Sequence, residues 1–192
     1  MKINQLLKMT AGILSLFVFG LLFGEILKLT INRNLAGENR SRLLLAEGSE
    51  AVMNGHYMKS VDILSESIKL DSTNAKARQI RGDAYFALEN YSAAFADYSE
   101  SVKISPNAPA YAGLGNVFVK MNNIPESIIN YTKAAELEPG CARYYFIRGQ
   151  ALNMQGKYDD AINDFDYALK IEPDNVEYKQ NRDFALSLKK MK

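Results

Sequence analysis

The residues of this chain that could carry chemistry are few and scattered. The only histidine is His56, so a paired-histidine metal site is excluded, and the sequence has no glycine-rich phosphate-binding loop. Four aspartates cluster near the carboxyl terminus: Asp159, Asp160, Asp164 and Asp166. They lie in a predicted helix rather than in the twelve-residue glycine-containing loop of a calcium site. We therefore predict that the chain is not an enzyme and has no catalytic residue, metal ligand or cofactor.

Two arginines each precede an aspartate by sixteen residues, Arg81 before Asp97 and Arg148 before Asp164. At two equivalent places the arginine and the aspartate are both absent: Glu47 with Ile63, and Leu114 with Asn130. Two charges that are present or absent together indicate an ion pair between two helices. We expect Arg81–Asp97 and Arg148–Asp164 to be structural ion pairs, with a role in ligand binding as the alternative.

The elements that position these residues follow a regular period. Glycines recur at a nearly constant interval of about 34 residues, the repeat period, at Gly48, Gly82, Gly115 and Gly149. After each glycine, large and small residues alternate at intervals of three and four, which places them on one helical face. Three of the four units then reach a proline, which cannot continue a helix. Each unit is therefore predicted to be two antiparallel helices joined by a short polar turn.

This pattern resembles the tetratricopeptide repeat (TPR) family. The best copies begin Arg81-Gly82-Asp83-Ala84-Tyr85 and Arg148-Gly149-Gln150-Ala151-Leu152, and they end at Pro106 and Pro173. The resemblance implies an all-α fold, a right-handed α-solenoid of four helix-turn-helix repeats over 41–74, 75–107, 108–141 and 142–175. Residues 176–192 carry one apolar stripe and are expected to form a capping helix.

The amino-terminal segment has a different composition. Residues 1–8 are a short basic leader, and residues 9–27 contain one charged residue, Glu25. Nineteen residues of helix reach roughly 28 Å, enough for the core of a bilayer. We expect a transmembrane signal-anchor helix over 9–27 and a linker over 28–40, with a cleaved signal peptide as the alternative. The repeats are expected on the exported, periplasmic side of a bacterial inner membrane, and the cytosolic side stays open.

The charge balance separates the two parts of the chain. Residues 1–34 carry a net charge of +3, and the remaining residues carry −2. An almost neutral repeat array lacks the basic surplus of a nucleic-acid binder, so nucleic acid is excluded as a partner. The single cysteine, Cys141, cannot form an internal disulfide.

In the TPR family the first helix of each repeat lines a concave groove. The resemblance implies these groove residues: Lys76, Gln79, Asp83, Phe86, Asn116, Val119, Arg143, Phe146, Gln150 and Asn153. Their amides could bond the backbone of an extended peptide, their phenyl rings could form apolar pockets, and the two cations could hold a carboxylate. A solvated surface position is the alternative for each of them.

Family members that bind the carboxyl-terminal tails of chaperones use a set of Lys, Asn and Arg in three successive repeats. This chain has Leu45 and Ser49 at the first repeat's positions of that set and Ile147 at a later arginine position. The resemblance therefore argues against a chaperone-tail receptor and leaves other peptides open.

We thus expect a membrane-anchored TPR scaffold that binds a protein or peptide in its groove, without a small-molecule substrate. Two alternatives remain: a secreted adaptor released by signal cleavage, and a non-catalytic accessory subunit of an envelope enzyme.

Overall fold

The computed structural model describes residue 24, residues 26–30 and residues 35–191, and this part of the chain contains helices and no strand. Residues 26–30 are helical, and residues 35–53 form the described part of helix α1. Eight helices follow: α2 (Tyr57–Leu70), α3 (Ala75–Ala87), α4 (Tyr91–Ile104), α5 (Ala108–Lys120), α6 (Ile124–Leu137), α7 (Ala142–Met154), α8 (Tyr158–Ile171) and α9 (Val176–Lys190).

The helices form an array in which each packs on its neighbours in sequence. From α2 to α9 every helix contacts the next one, and the tightest pairs are α3 with α4, α5 with α6 and α7 with α8. Alternate helices also touch, α3 with α5 and α7 with α9. Contacts confined to near neighbours are typical of a repeat array. The expected all-α solenoid is confirmed for this part of the chain, and the division into four repeats stays a prediction.

Asparagine side chains fix the start of five helices. The asparagine oxygen at each of these N-caps accepts a hydrogen bond from a backbone N–H three residues on: Asn74, Asn90, Asn107, Asn123 and Asn175. Each bond satisfies a donor that the first helical turn leaves unpaired. Prolines follow in the first turns of α5 and α6, where a missing N–H costs nothing. The turns are therefore set by local sequence, which fixes where each helix begins.

The two helices of a repeat approach most closely at its glycine. A large side chain of the second helix packs over each glycine: Leu64 over Gly48, Tyr98 over Gly82, Tyr131 over Gly115 and Phe165 over Gly149. A Cβ atom on Gly149 would lie 2.7 Å from the ring of Phe165. Any larger residue would force the helices apart. This close approach is the physical origin of the glycine period.

The last helix closes the hydrophobic core of the array. Tyr178 and Ala185 of α9 are buried with Phe146 and Phe165 in one apolar cluster between α7, α8 and α9. The ring centroids of Phe146 and Tyr178 lie 4.5 Å apart. These aromatic contacts stabilise the packing of α9 on α7 and α8, although much of the surface of α9 is polar.

The expected membrane localisation is wrong. Among the residues that the structure describes, no helix is both long and apolar enough to cross a bilayer. Helices α2 to α9 have 13 to 15 residues, which at about 1.5 Å per residue is shorter than a hydrocarbon core of about 30 Å. Most of the segment 9–27, predicted as the signal-anchor helix of a single-pass protein with exported repeats, lies outside the described residues, as does the leader 1–8.

Candidate functional site

The predicted groove residues lie at different depths on helices α3, α5 and α7. Lys76 and Arg143 are exposed. Six more are half-buried: Asp83, Phe86, Asn116, Val119, Gln150 and Asn153. The remaining two, Gln79 and Phe146, are buried. The side chains available to a ligand are therefore fewer than the sequence pattern suggests.

Phe146 does not line the groove. Only 1 % of the residue is exposed, and its ring packs on Phe165 and Tyr178. The apolar pocket expected from Phe146 is therefore wrong, because the core between α7 and α9 needs the ring.

In the second repeat the groove side chains are bonded to one another. The Tyr98 hydroxyl donates a hydrogen bond of 2.7 Å to Asp83, and the Gln79 amide donates to the other oxygen of the same carboxylate. Lys76 donates to Gln79 over 2.7 Å. Burial raises the pKa of Asp83 to about 6. The hydrogen bonds from Tyr98 and Gln79 and the charge of Lys76 lower this pKa and offset only part of the effect of burial. Asp83 and Gln79 are therefore engaged within the protein.

The third repeat has the corresponding tyrosine hydrogen bond, with an asparagine amide in place of the aspartate carboxylate. The Tyr131 hydroxyl donates a hydrogen bond of 2.7 Å to the side-chain oxygen of Asn116. In the fourth repeat Phe165 replaces the tyrosine, and the Gln150 amide instead lies 3.5 Å from the Asn181 oxygen on α9. The sequence pattern did not predict these two tyrosine bonds, although each tyrosine follows its polar partner by fifteen residues.

One cavity of about 290 Å³ opens where α5 and α7 face each other. Its walls combine apolar and polar side chains: Phe86, Asn116, Val119, Lys120, Tyr131, Arg143, Ile147, Gln150, Ala151 and Met154. Five of the predicted groove residues are among them. The other five were not among the predicted contacts: Lys120, Tyr131, Ile147, Ala151 and Met154.

The cavity carries positive charge on its rim. Lys120 and Arg143 are both exposed, and neither makes an ion pair with a described residue. Burial raises the pKa of the Tyr131 hydroxyl, and the charge of the nearby Arg143 partly opposes this. The cavity can therefore receive an apolar side chain at its walls and a carboxylate at its rim.

Two family models match the residues that build this cavity. One, described as a tetratricopeptide repeat, matches residues 113–176, and the other, described as a TPR repeat, matches residues 82–122. Residues 82–176 match tetratricopeptide repeats. The matched residues run from α3 to the start of α9 and include the cavity walls.

This chain is similar to curated proteins over about three fifths of its length. It is 30% identical over 118 residues to the DnaJ homolog subfamily C member 7 homolog of Dictyostelium discoideum. It is 28% identical over 116 residues to Hsp70-Hsp90 organizing protein 3 of Arabidopsis thaliana. These alignments cover 59% and 60% of this chain but 22% and 21% of the relatives, so the chain spans about a fifth of their length.

Solved TPR structures have the same fold. The structure of MamA superposes with a TM-score of 0.65 at 29% identity, covering 73% of this chain and 82% of that chain. A structure of YrrB, described as a TPR protein with an unusual peptide-binding site, superposes with a TM-score of 0.65 at 20% identity over 77% of this chain and 76% of that chain. At 20% identity the likeness to YrrB shows the fold alone.

The predicted Arg–Asp pairs lie away from the cavity, between the helices of two TPR units. Arg81 donates two hydrogen bonds of 2.7 Å to Asp97, and Arg148 donates bonds of 2.8 and 2.6 Å to Asp164. Both carboxylates are buried. The structure thus brings together both predicted pairs, each with the bidentate geometry of a guanidinium and a carboxylate.

Each of these arginines also reaches the preceding repeat. The third guanidinium nitrogen donates to a hydroxyl sixteen residues earlier, Arg81 to Ser65 over 2.8 Å and Arg148 to Thr132 over 3.3 Å. These hydroxyls were not predicted from the sequence, although they precede the arginines by the same sixteen residues by which the aspartates follow them. One guanidinium therefore joins three helices: α3 to α2 and α4, or α7 to α6 and α8.

Proposed function

We propose that this chain is a TPR adaptor that binds a peptide segment of a partner protein in the cavity between α5 and α7, and that it has no catalytic role. The observation that supports the proposal is the cavity itself, which joins apolar walls to two exposed cations without ion-pair partners among the described residues. Its volume of about 290 Å³ lies at the lower limit for small-molecule sites and suits the side chain of an anchoring residue.

The wall chemistry selects the kind of peptide. Phe86, Val119 and Ile147 offer carbon surface for an apolar side chain. Lys120 and Arg143 stand at the rim, where a carboxylate next to that side chain would meet both charges. We therefore propose a peptide with an apolar anchor beside an acidic residue.

Two amides supply the bonds that an extended peptide needs. Asn116 uses its oxygen to accept the Tyr131 hydrogen bond, so its NH₂ group stays available to a peptide carbonyl. Gln150 lines the same cavity one repeat further on, and its bond to Asn181 is long at 3.5 Å. Backbone bonding by side chains from successive repeats is sequence-tolerant, which suits an adaptor.

The names of the relatives favour an organising role over an enzymatic one. One of them is named an Hsp70-Hsp90 organizing protein, and that name points to chaperones as partners of the relative. We do not extend the proposal to chaperone tails, because Leu45, Ser49 and Ile147 stand at positions where the family's tail receptors carry Lys, Asn or Arg.

A peptide library tests the proposal. We expect the purified protein to enrich peptides in which Asp or Glu neighbours a large apolar residue, and the double variant Lys120→Glu/Arg143→Glu to lose that preference. Lys170→Glu is the matched control, since Lys170 is an exposed cation on α8 that does not line the cavity. Failure to enrich any motif, or the same acidic motif in the double variant, would contradict the proposal.

A further inference from the structure

Helix α9 is packed as the first helix of another repeat. Tyr178 and Ala185 lie one repeat period after Tyr144 and Ala151, and all four are buried. Arg182 likewise lies one repeat period after Arg148. The helix therefore keeps the register of the array as well as its contacts.

Arg182 also keeps the bonding pattern of the two earlier arginines. Its Nη1 donates to Asp166 over 3.4 Å, sixteen residues earlier, as the same atom of Arg81 and Arg148 donates to a hydroxyl. Its Nε and Nη2 are the atoms that in the earlier repeats bind an aspartate of the second helix. On α9 both donate to Asp183, the next residue in the chain, over 3.2 and 3.0 Å.

Asp183 stands where the other first helices have glycine. It lies one repeat period after Gly149, the residue over which Phe165 packs. A Cβ atom on Gly149 or Gly82 would come within 2.7 or 2.8 Å of the ring on the second helix. A side chain at position 183 therefore occupies the space that a second helix would need, and its carboxylate supplies the bonds that such a helix would make.

We propose that Asp183 closes the repeat array. It prevents a further amphipathic helix, from a second copy of this chain or from another protein, from adding to α9 as α8 adds to α7. Two features of Asp183 act together. Its volume blocks the close approach, and its charge satisfies Arg182, which would otherwise attract an acidic helix.

An appended helix tests this inference independently of peptide binding in the cavity. A copy of residues 155–172 is fused through a flexible linker to the full chain, so that a helix like α8 is offered to α9 at high effective concentration. Hydrogen exchange then measures protection of the appended segment. We expect at least tenfold greater protection on Asp183→Gly than on the wild-type chain.

Two further variants separate the effect of the volume of Asp183 from the effect of its charge. Asp183→Asn keeps the volume and removes the charge, so we expect the appended segment to remain unprotected. Adding Arg182→Leu to Asp183→Gly removes the partner of the appended aspartate and should lower the protection again. Glycine is tolerated at this position in four other first helices, so the variant should fold. Equal protection on wild type and Asp183→Gly, whether high or absent, overturns the inference.

Discussion

Asp83 and Asn116 occupy the same place in successive repeats and differ in charge. Each accepts a hydrogen bond of 2.7 Å from a tyrosine of its second helix. The carboxylate is the less suitable acceptor there, because burial raises the pKa of Asp83 from 3.8 to about 6. Asn116 makes the same bond without a charge, which shows that the fold does not need an acid at this position.

The sign of the Asp83 effect on stability follows from its two pKa values. Between pH 4 and 6 the folded chain binds more protons at Asp83 than the unfolded chain, so its contribution to the free energy of unfolding falls as the pH rises. We expect Asp83→Asn to be roughly 1–3 kcal/mol more stable than wild type above pH 6 and equal to it below pH 4. Urea unfolding followed by circular dichroism measures this difference, since the chain has no tryptophan.

Asn116→Asp is the matched control for that measurement. It places a carboxyl group under Tyr131, in the setting that Asp83 has under Tyr98. It should therefore lose stability above pH 6 and recover it in acid. A stability difference between Asp83→Asn and wild type that stays constant from pH 3 to 8 would show that the carboxyl group is not the cause.

At the scale of elements, one arginine holds three helices together. Arg148 binds Asp164 on α8 and Thr132 on α6. We expect Arg148→Ala to lower the free energy of unfolding by about 2–4 kcal/mol, because it leaves the buried Asp164 carboxylate without a cation. Denaturant unfolding of the full chain measures the loss.

Two variants interpret that result. Arg143→Ala removes an exposed cation without an ion-pair partner in the described structure and should change stability by less than about 0.5 kcal/mol. Arg148→Met with Asp164→Leu removes both charges of the pair and should recover most of the loss. Unchanged stability of Arg148→Ala, combined with lost peptide binding, would instead assign the pair to the ligand.

The helices were predictable from sequence because their determinants are local. Glycine spacing, small–large alternation and terminal prolines each act within one repeat, and so do the sixteen-residue Arg–Asp pairs. Bonds between repeats were harder to predict. Thr132 reaches Arg148 from a neighbouring unit, and Phe146 serves the core between α7 and α9 rather than the groove. The hydropathy of the amino-terminal segment led to the wrong prediction of a membrane localisation, because the length of an apolar segment alone does not establish a transmembrane helix.

At the scale of the whole molecule, the cavity and helix α9 differ in whether their charged side chains are paired. The cavity between α5 and α7 lies in the region matched by the family models, and its cations have no ion-pair partner among the described residues. On α9, by contrast, Asp183 is bonded to Arg182. We therefore propose that recognition takes place in the groove and not at the end of the array.

Site-specific photocrosslinking tests that central claim most directly. A photoreactive residue replaces Met154, which lines the cavity, or Tyr167, which is exposed on α8 and does not line it. The protein is then irradiated with the acidic–apolar peptide selected from the library. We predict that the peptide crosslinks at position 154 and not at position 167. Crosslinking at 167 alone, or at neither position while the peptide still binds, would contradict the account.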